Sequence, residues 1–398
     1  MPVAGMGQPS SGRVQALDGV RGLAALSVMA FHWMLLTPAF PPGPTTGGLT
    51  QGLNWLAATP LRAFLAGPEM VLLFFVLSGL VLSLPFVDGR PNEVRAFLAA
   101  RAFRIYPVAW LAAGVGLAVT LLPTSSGSRR VPLWLSAELH FPSSSWDPFH
   151  YLVLAVPFDP SRLDGPLWSM EQEVRVSLLF PVLLWALRRS RLAPVAVGSG
   201  LLIVLSTYLT PDITSWAWTG VPLGCFLLGM VIAHRQTALR TTWGRASAGT
   251  RSALVLGAGM CFWLPYLPPE NVIARLYLVR LAPALGACLL LTAAFCGSRT
   301  AWLRSRACQW LGQISYGVYV WHAVILAGIV RALPAGVPPL ALAPAGIAGT
   351  LVIGHLSYHL VERPVLTWGR RQIRGRSHQA GRSLAILGAN SAPSPSRQ

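Results

Sequence analysis

LDGVRGLAALSVMAFHWMLL, residues 17–36, is an apolar run that carries Arg21 and His32 eleven positions apart. At ~1.5 Å per residue it reaches across the roughly 30 Å of a bilayer core. Eleven steps of about 100° return to nearly the same helical face, so the guanidinium and the imidazole lie on one stripe about 16 Å apart. Ionisable groups at membrane depth are costly, and they mark a functional site by default. The alternative is an interfacial anchor at Arg21 and a helix–helix hydrogen bond at His32.

The rest of the chain is equally apolar. Its 398 residues are 53% hydrophobic and 11% charged, with mean hydropathy +0.54, which excludes an ordinary globular protein of this size. Stretches of spanning length fall at 19–38, 68–86, 104–122, 166–187, 192–209, 216–234, 252–268, 274–297, 309–330 and 339–361. They predict an all-α polytopic membrane protein of about ten transmembrane helices. A charge of +18 would suit nucleic acid, but the arginines are scattered over short loops, so no nucleic-acid partner is expected. With the N-terminus inside, 23 arginines fall on the inner side and six in outer loops (Arg62, Arg129, Arg130, Arg162, Arg275, Arg331), with Arg175 and Arg280 within spans. That asymmetry predicts N-in, C-in topology. The domains expected are a cytoplasmic tail at 1–16, a membrane domain at 17–364 and a basic, disordered cytoplasmic tail at 365–398. The first run reads as an uncleaved signal anchor. The five cysteines lack zinc or disulfide spacing, so neither a metal nor a disulfide framework is expected.

Two outer connections are long. Residues 39–67 are rich in Pro, Gly and Thr; residues 123–165 hold Trp134, His140, Trp146, His150 and Tyr151. Each is either a lid or acceptor platform, or an interfacial segment with aromatic anchors.

Orientation allows depths to be compared. His32 and Glu173 each lie about six residues from the outer ends of their helices, about 9 Å deep, and can share a layer. Arg280 falls at a similar depth. His322 follows Cys308 by fourteen residues as His32 follows Asp18, which makes the two histidines level. Nearer the inner end, Arg101 and Arg104 stand at i, i+3 on one face, a pair suited to the bidentate recognition of phosphate or to anchoring an inner loop. Glu171 and Arg175, at i, i+4, are expected to neutralise each other. His355, His359 and Glu362 have metal-like spacing but sit where an interfacial hydrogen-bonding role is expected, and Ser78-Gly79 reads as a close-packing position.

Together these segments resemble the membrane acyltransferase-3 family of acyl-CoA-dependent O-acyltransferases. The motifs are LDGVRG at 17–22 with Arg21-x10-His32, FFVLSG at 74–79, RAFRIYP at 101–107, LWSMEQE at 167–173, SYGVYVWH at 315–322 and ERP at 362–364. Their order over about 350 residues is more specific than any one of them. The resemblance implies ten core helices, His32 as the central catalytic residue, and Arg21, Arg101 and Arg104 in handling the donor. Glu173 takes the family's acidic position, there to orient His32 or stabilise its imidazolium. Ser177 departs from the aromatic residue of many bacterial members, beside Arg175, which alters the acceptor pocket. Ser177, Arg280 and His322 are candidates for acceptor contacts or for support of the catalytic group.

The implied reaction moves an acyl group, acetyl or another short chain, from acyl-CoA to a hydroxyl, with no permanently bound cofactor. The acceptor is a cell-envelope carbohydrate or glycolipid, or alternatively a secondary metabolite such as a macrolide or its sugar. The implied location is multi-pass in the bacterial cytoplasmic membrane. A transporter or flippase is the rival class, since midplane charges suit alternating access. The lack of an evident inverted repeat and the inner arginine cluster argue against it.

Overall fold

A computed structural model describes residues 11–35, 59–89, 93–121, 152–154, 165–210, 215–266, 277–297, 300–332 and 339–373. In chain order the first α-helices are α1 (Ser11–Met34), α2 (Gly67–Val87), α3 (Val94–Thr120), α4 (Leu167–Leu187), α5 (Leu192–Leu209) and α6 (Gly220–His234). There follow α7 (Gln236–Arg245), α8 (Ala248–Trp263), α9 (Ala282–Cys296), α10 (Arg306–Ala332) and α11 (Ala343–Ser357). Among the described residues there is no strand. This is an all-α polytopic membrane protein: seven helical segments are long and apolar enough to cross a bilayer, Val14–Met34, Gly67–Val87, Val94–Val119, Leu192–Leu209, Ala217–His234, Val279–Cys296 and Arg306–Ala332.

The other three expected stretches are also helical where they are described. They fall short of the seven because α4 holds Glu171, Glu173 and Arg175, while α8 and α11 are only 16 and 15 residues long. The backbone remains helical past the expected boundary at 364, through residue 373. The rest of the tail, the first ten residues, residues 39–58 of the first long connection and most of the second lie outside the described residues, including Trp134, His140, Trp146, His150 and Tyr151. Of the second connection, Leu152–Leu154 are described. The Tyr106 hydroxyl donates to the Val153 carbonyl at 2.6 Å and the Trp110 indole to that of Leu152 at 3.2 Å, which ties this segment to α3.

Helices this uniformly apolar satisfy their own backbone, and a bilayer demands that. Between them, glycine sets the spacing. A Cβ at Gly22 would collide with the backbone of Leu311 and Gly312, and one at Gly79 with that of Phe226, so α1 lies close on α10 and α2 close on α6. The first of these contacts positions the site: it brings the Arg21 side of α1 against Gly312 and Ser315.

Candidate active site

Arg21 projects from α1 into α10, donating from Nε to the Ser315 hydroxyl at 3.0 Å and from Nη2 to the Gly312 carbonyl at 2.7 Å. Asp18, one helical turn back, pairs with it at 3.0 Å. On α3, Arg101 forms an ion pair with Glu173 of α4 and donates to the Ser177 hydroxyl at 3.2 Å. Arg104, one turn on, pairs with Glu362 and lies over the Tyr316 ring, 5.0 Å from its centroid. Tyr316 in turn donates its hydroxyl to the Ile105 carbonyl. Two helices, α1 and α3, thus deliver three guanidiniums to one place, each with its own carboxylate.

All three arginines line a single cavity of about 140 Å³. Asp18, Glu173, Ser78 and Ser315 add to its polar lining, as do Ser169 and Tyr319; Leu17, Val71, Phe74 and Phe75 supply apolar wall. The hydroxyls of Ser169 and Tyr319 hydrogen-bond to each other at 2.7 Å.

Tyr319 connects this cleft to the histidines, its ring lying 5.8 Å from that of His322. Neither histidine is among the residues lining the cavity. His322 is buried and its Nδ1 lies 2.6 Å from the Tyr319 carbonyl. A carbonyl only accepts, so that nitrogen carries the proton and the neutral ring presents Nε2 as an acceptor. The same logic fixes His32. Its Nδ1 is 2.8 Å from the Val28 carbonyl and 3.2 Å from His322 Nε2, so Nδ1 is the protonated nitrogen and Nε2 the basic one.

The structure therefore brings together Arg21, Arg101, Arg104, Glu173 and Ser177 at one level and His32 with His322 at another. The level relation of the two histidines is as the sequence spacing predicts. Glu173 is a correction: expected in the layer of His32, it lies at the level of the arginines, paired with Arg101 where α4 packs against α3. Ser177, expected to shape an acceptor pocket, accepts from Arg101 instead. Arg280 is not among the residues lining the cavity; its guanidinium lies 5.9 Å from the Trp218 ring centroid. Glu171 and Arg175 are paired as expected, with Arg175 also donating to the Thr219 hydroxyl at 3.0 Å.

Glu362 was missed as a site residue. Expected in an interfacial role, it is buried at 1% exposure, held on a π-helical turn, Tyr358–Glu362, that follows α11. The signal was available, since a deep arginine requires a carboxylate and acidic residues number only 13 in the whole chain. His355 accepts from the Trp310 indole at 3.2 Å and packs against the His359 ring. Among the described residues no group of three or more His, Cys, Asp or Glu could hold a metal.

The family model described as an acyltransferase domain matches residues 14–359, and the chain belongs to this acyltransferase-3 family. It is 25% identical over 388 residues to YrhL of Bacillus subtilis (strain 168), provisionally named a peptidoglycan O-acetyltransferase, covering 91% of this chain. It is 24% identical over 383 residues, 88% of this chain, to the peptidoglycan O-acetyltransferase OatA of Listeria monocytogenes serovar 1/2a. The match spans 56% of the length of each of these two relatives. The exopolysaccharide production protein ExoZ of Rhizobium meliloti (strain 1021) is 27% identical over 344 residues, 80% of this chain and 96% of that protein. No solved structure matches the chain.

Proposed function

We propose that this protein is an integral-membrane O-acyltransferase that moves an acyl group, acetyl or another short chain, from acyl-CoA to a hydroxyl of a cell-envelope polysaccharide. The observation that carries the reading is the state of His32. With the proton held on Nδ1 by Val28, its Nε2 is the ring nitrogen able to accept a proton from a hydroxyl, and imidazole is the side chain suited to that near neutrality. Membership of the family supports acyl transfer as the reaction class. The names of the relatives favour a polysaccharide acceptor over a secondary metabolite.

In this reading the donor enters from the cytoplasmic side, with N-in, C-in topology placing the arginine cleft there. Donor phosphates bind Arg21, Arg101 and Arg104, and the extended thiol arm carries the thioester past Tyr319 to His32. His32 Nε2 removes the acceptor's hydroxyl proton as that oxygen attacks the thioester carbonyl. The carbon–sulfur bond breaks, Nε2 returns the proton to the departing thiolate, and an ester and a free thiol remain.

The test is purified protein in detergent with radiolabelled acetyl-CoA and soluble envelope-polysaccharide fragments. The expected result is label in an alkali-labile ester with one thiol released per ester formed. Wild-type protein that acylates the polysaccharide in whole membranes but consumes no acyl-CoA would overturn the donor; consumption of no thioester with any hydroxyl acceptor would overturn the reading itself.

A further inference from the structure

A base that works through Nε2 needs something to hold its other nitrogen. In triad-like sites a carboxylate does this, keeping the ring in one tautomer and orientation and stabilising the imidazolium that forms. The carboxylates of the neighbouring helices are committed elsewhere: Glu173 to Arg101, Glu171 to Arg175, Glu362 to Arg104, and Glu69 to the Tyr266 hydroxyl at 2.7 Å. What faces His32 Nδ1 across the helix boundary is His322 Nε2, at 3.2 Å.

We propose that His322 is the positioning residue for His32, a neutral imidazole that accepts from His32 Nδ1–H and steadies the imidazolium during acyl transfer. The inference rests on the acyltransferase reading above. The polarity of the chain of bonds carries it. Tyr319 fixes the proton of His322 on Nδ1, so its Nε2 can only accept; Val28 fixes the proton of His32 on Nδ1, so that nitrogen can only donate. The Val28 carbonyl belongs to the helix of His32 itself and moves with it. His322 is the partner that ties the ring to α10.

A neutral acceptor also fits the place better than a carboxylate would. His322 is 1% exposed, and an anion so buried would be stranded whenever His32 is uncharged. The imidazole carries no charge at rest. As His32 takes a proton on Nε2, its Nδ1–H becomes a charge-assisted donor and the bond to His322 strengthens in the transition state, where strengthening accelerates the reaction. No proton passes to His322: the proton goes from the acceptor hydroxyl to His32 Nε2 and on to the thiolate.

The experiment compares wild type with His322→Phe, which keeps an aromatic ring but no acceptor, and His322→Gln, whose amide oxygen can stand in for Nε2. Acyl transfer is measured per folded molecule in detergent, with thermal midpoints alongside. His322→Phe is expected to lower kcat roughly 10- to 100-fold, the loss of one charge-assisted hydrogen bond, with the donor KM unchanged. His322→Gln is expected to recover most of that loss. Should the Phe variant fail to accumulate, His322→Met serves as the variant lacking a ring acceptor. Near wild-type kcat without an acceptor, or a Gln variant no better than Phe with activity tracking folded yield in both, overturns the proposal. A wild type that transfers no acyl group strikes the underlying reading, whereas a working wild type with indifferent His322 variants strikes this inference alone.

Discussion

Around Arg21, Arg101 and Arg104 every guanidinium faces a carboxylate, Asp18, Glu173 or Glu362; at the other end of the Arg21–His32 stripe, His32 and His322 meet imidazole to imidazole. Both groups are polar matter among apolar helices, and they meet the cost differently. The arginine cleft cancels charge with charge, so it is formally neutral at rest and an anionic ligand must displace carboxylates to bind. The histidine pair avoids charge until a proton moves. A cleft of the first kind suits reversible recognition of a phosphorylated molecule, and a pair of the second kind suits a group that is charged only in passing.

The ion pair of the cleft with the most buried carboxylate offers the harshest way to break this contrast. Glu362→Ala leaves Arg104 without its buried counter-ion, and the expected loss is about 3–5 kcal/mol of stability, read as a lower thermal midpoint in detergent. Replacing both partners, Arg104→Met with Glu362→Leu, should restore most of that stability while leaving the donor KM raised. That pair of results separates folding from binding. A Glu362→Ala protein as stable as wild type would mean the cleft is not held by charge balance.

Glu173→Gln has a smaller expected effect and a sharper meaning. Glutamine keeps the shape but releases Arg101 from its carboxylate, so the apparent donor KM should fall a few-fold, about 1 kcal/mol, with kcat little changed. A large fall in kcat instead would return Glu173 to the side of His32, where the family resemblance alone would put it.

Glu173 also marks the limit of the sequence. Hydrophobic run length identifies the helical stretches, and counting residues from their ends gives depth, which is why His32 and His322 are recognisable as level. Counting gives a common layer only where two helices start at the same boundary, and Glu173, counted level with His32, lies with the arginines; nor does depth fix a direction within a layer. Which helix stands beside which is decided by close approaches such as Gly22 on Gly312, and those depend on matching faces far apart in the chain. Arg101 therefore met a carboxylate from α4, and Arg104 one from the turn after α11, that no spacing rule connects to them. The i, i+4 pair Glu171–Arg175 was legible because both partners sit on one helix.

The central claim is that His32 is a base and not a packing residue, and acyl transfer by His32→Ala, measured per folded molecule with donor binding alongside, tests it most directly. The account predicts a rate loss on the order of 10² to 10⁴ with donor affinity retained, because the arginines proposed to bind the donor begin about 16 Å away along α1. A His32→Ala protein that is unstable yet turns over normally in its folded fraction would contradict it.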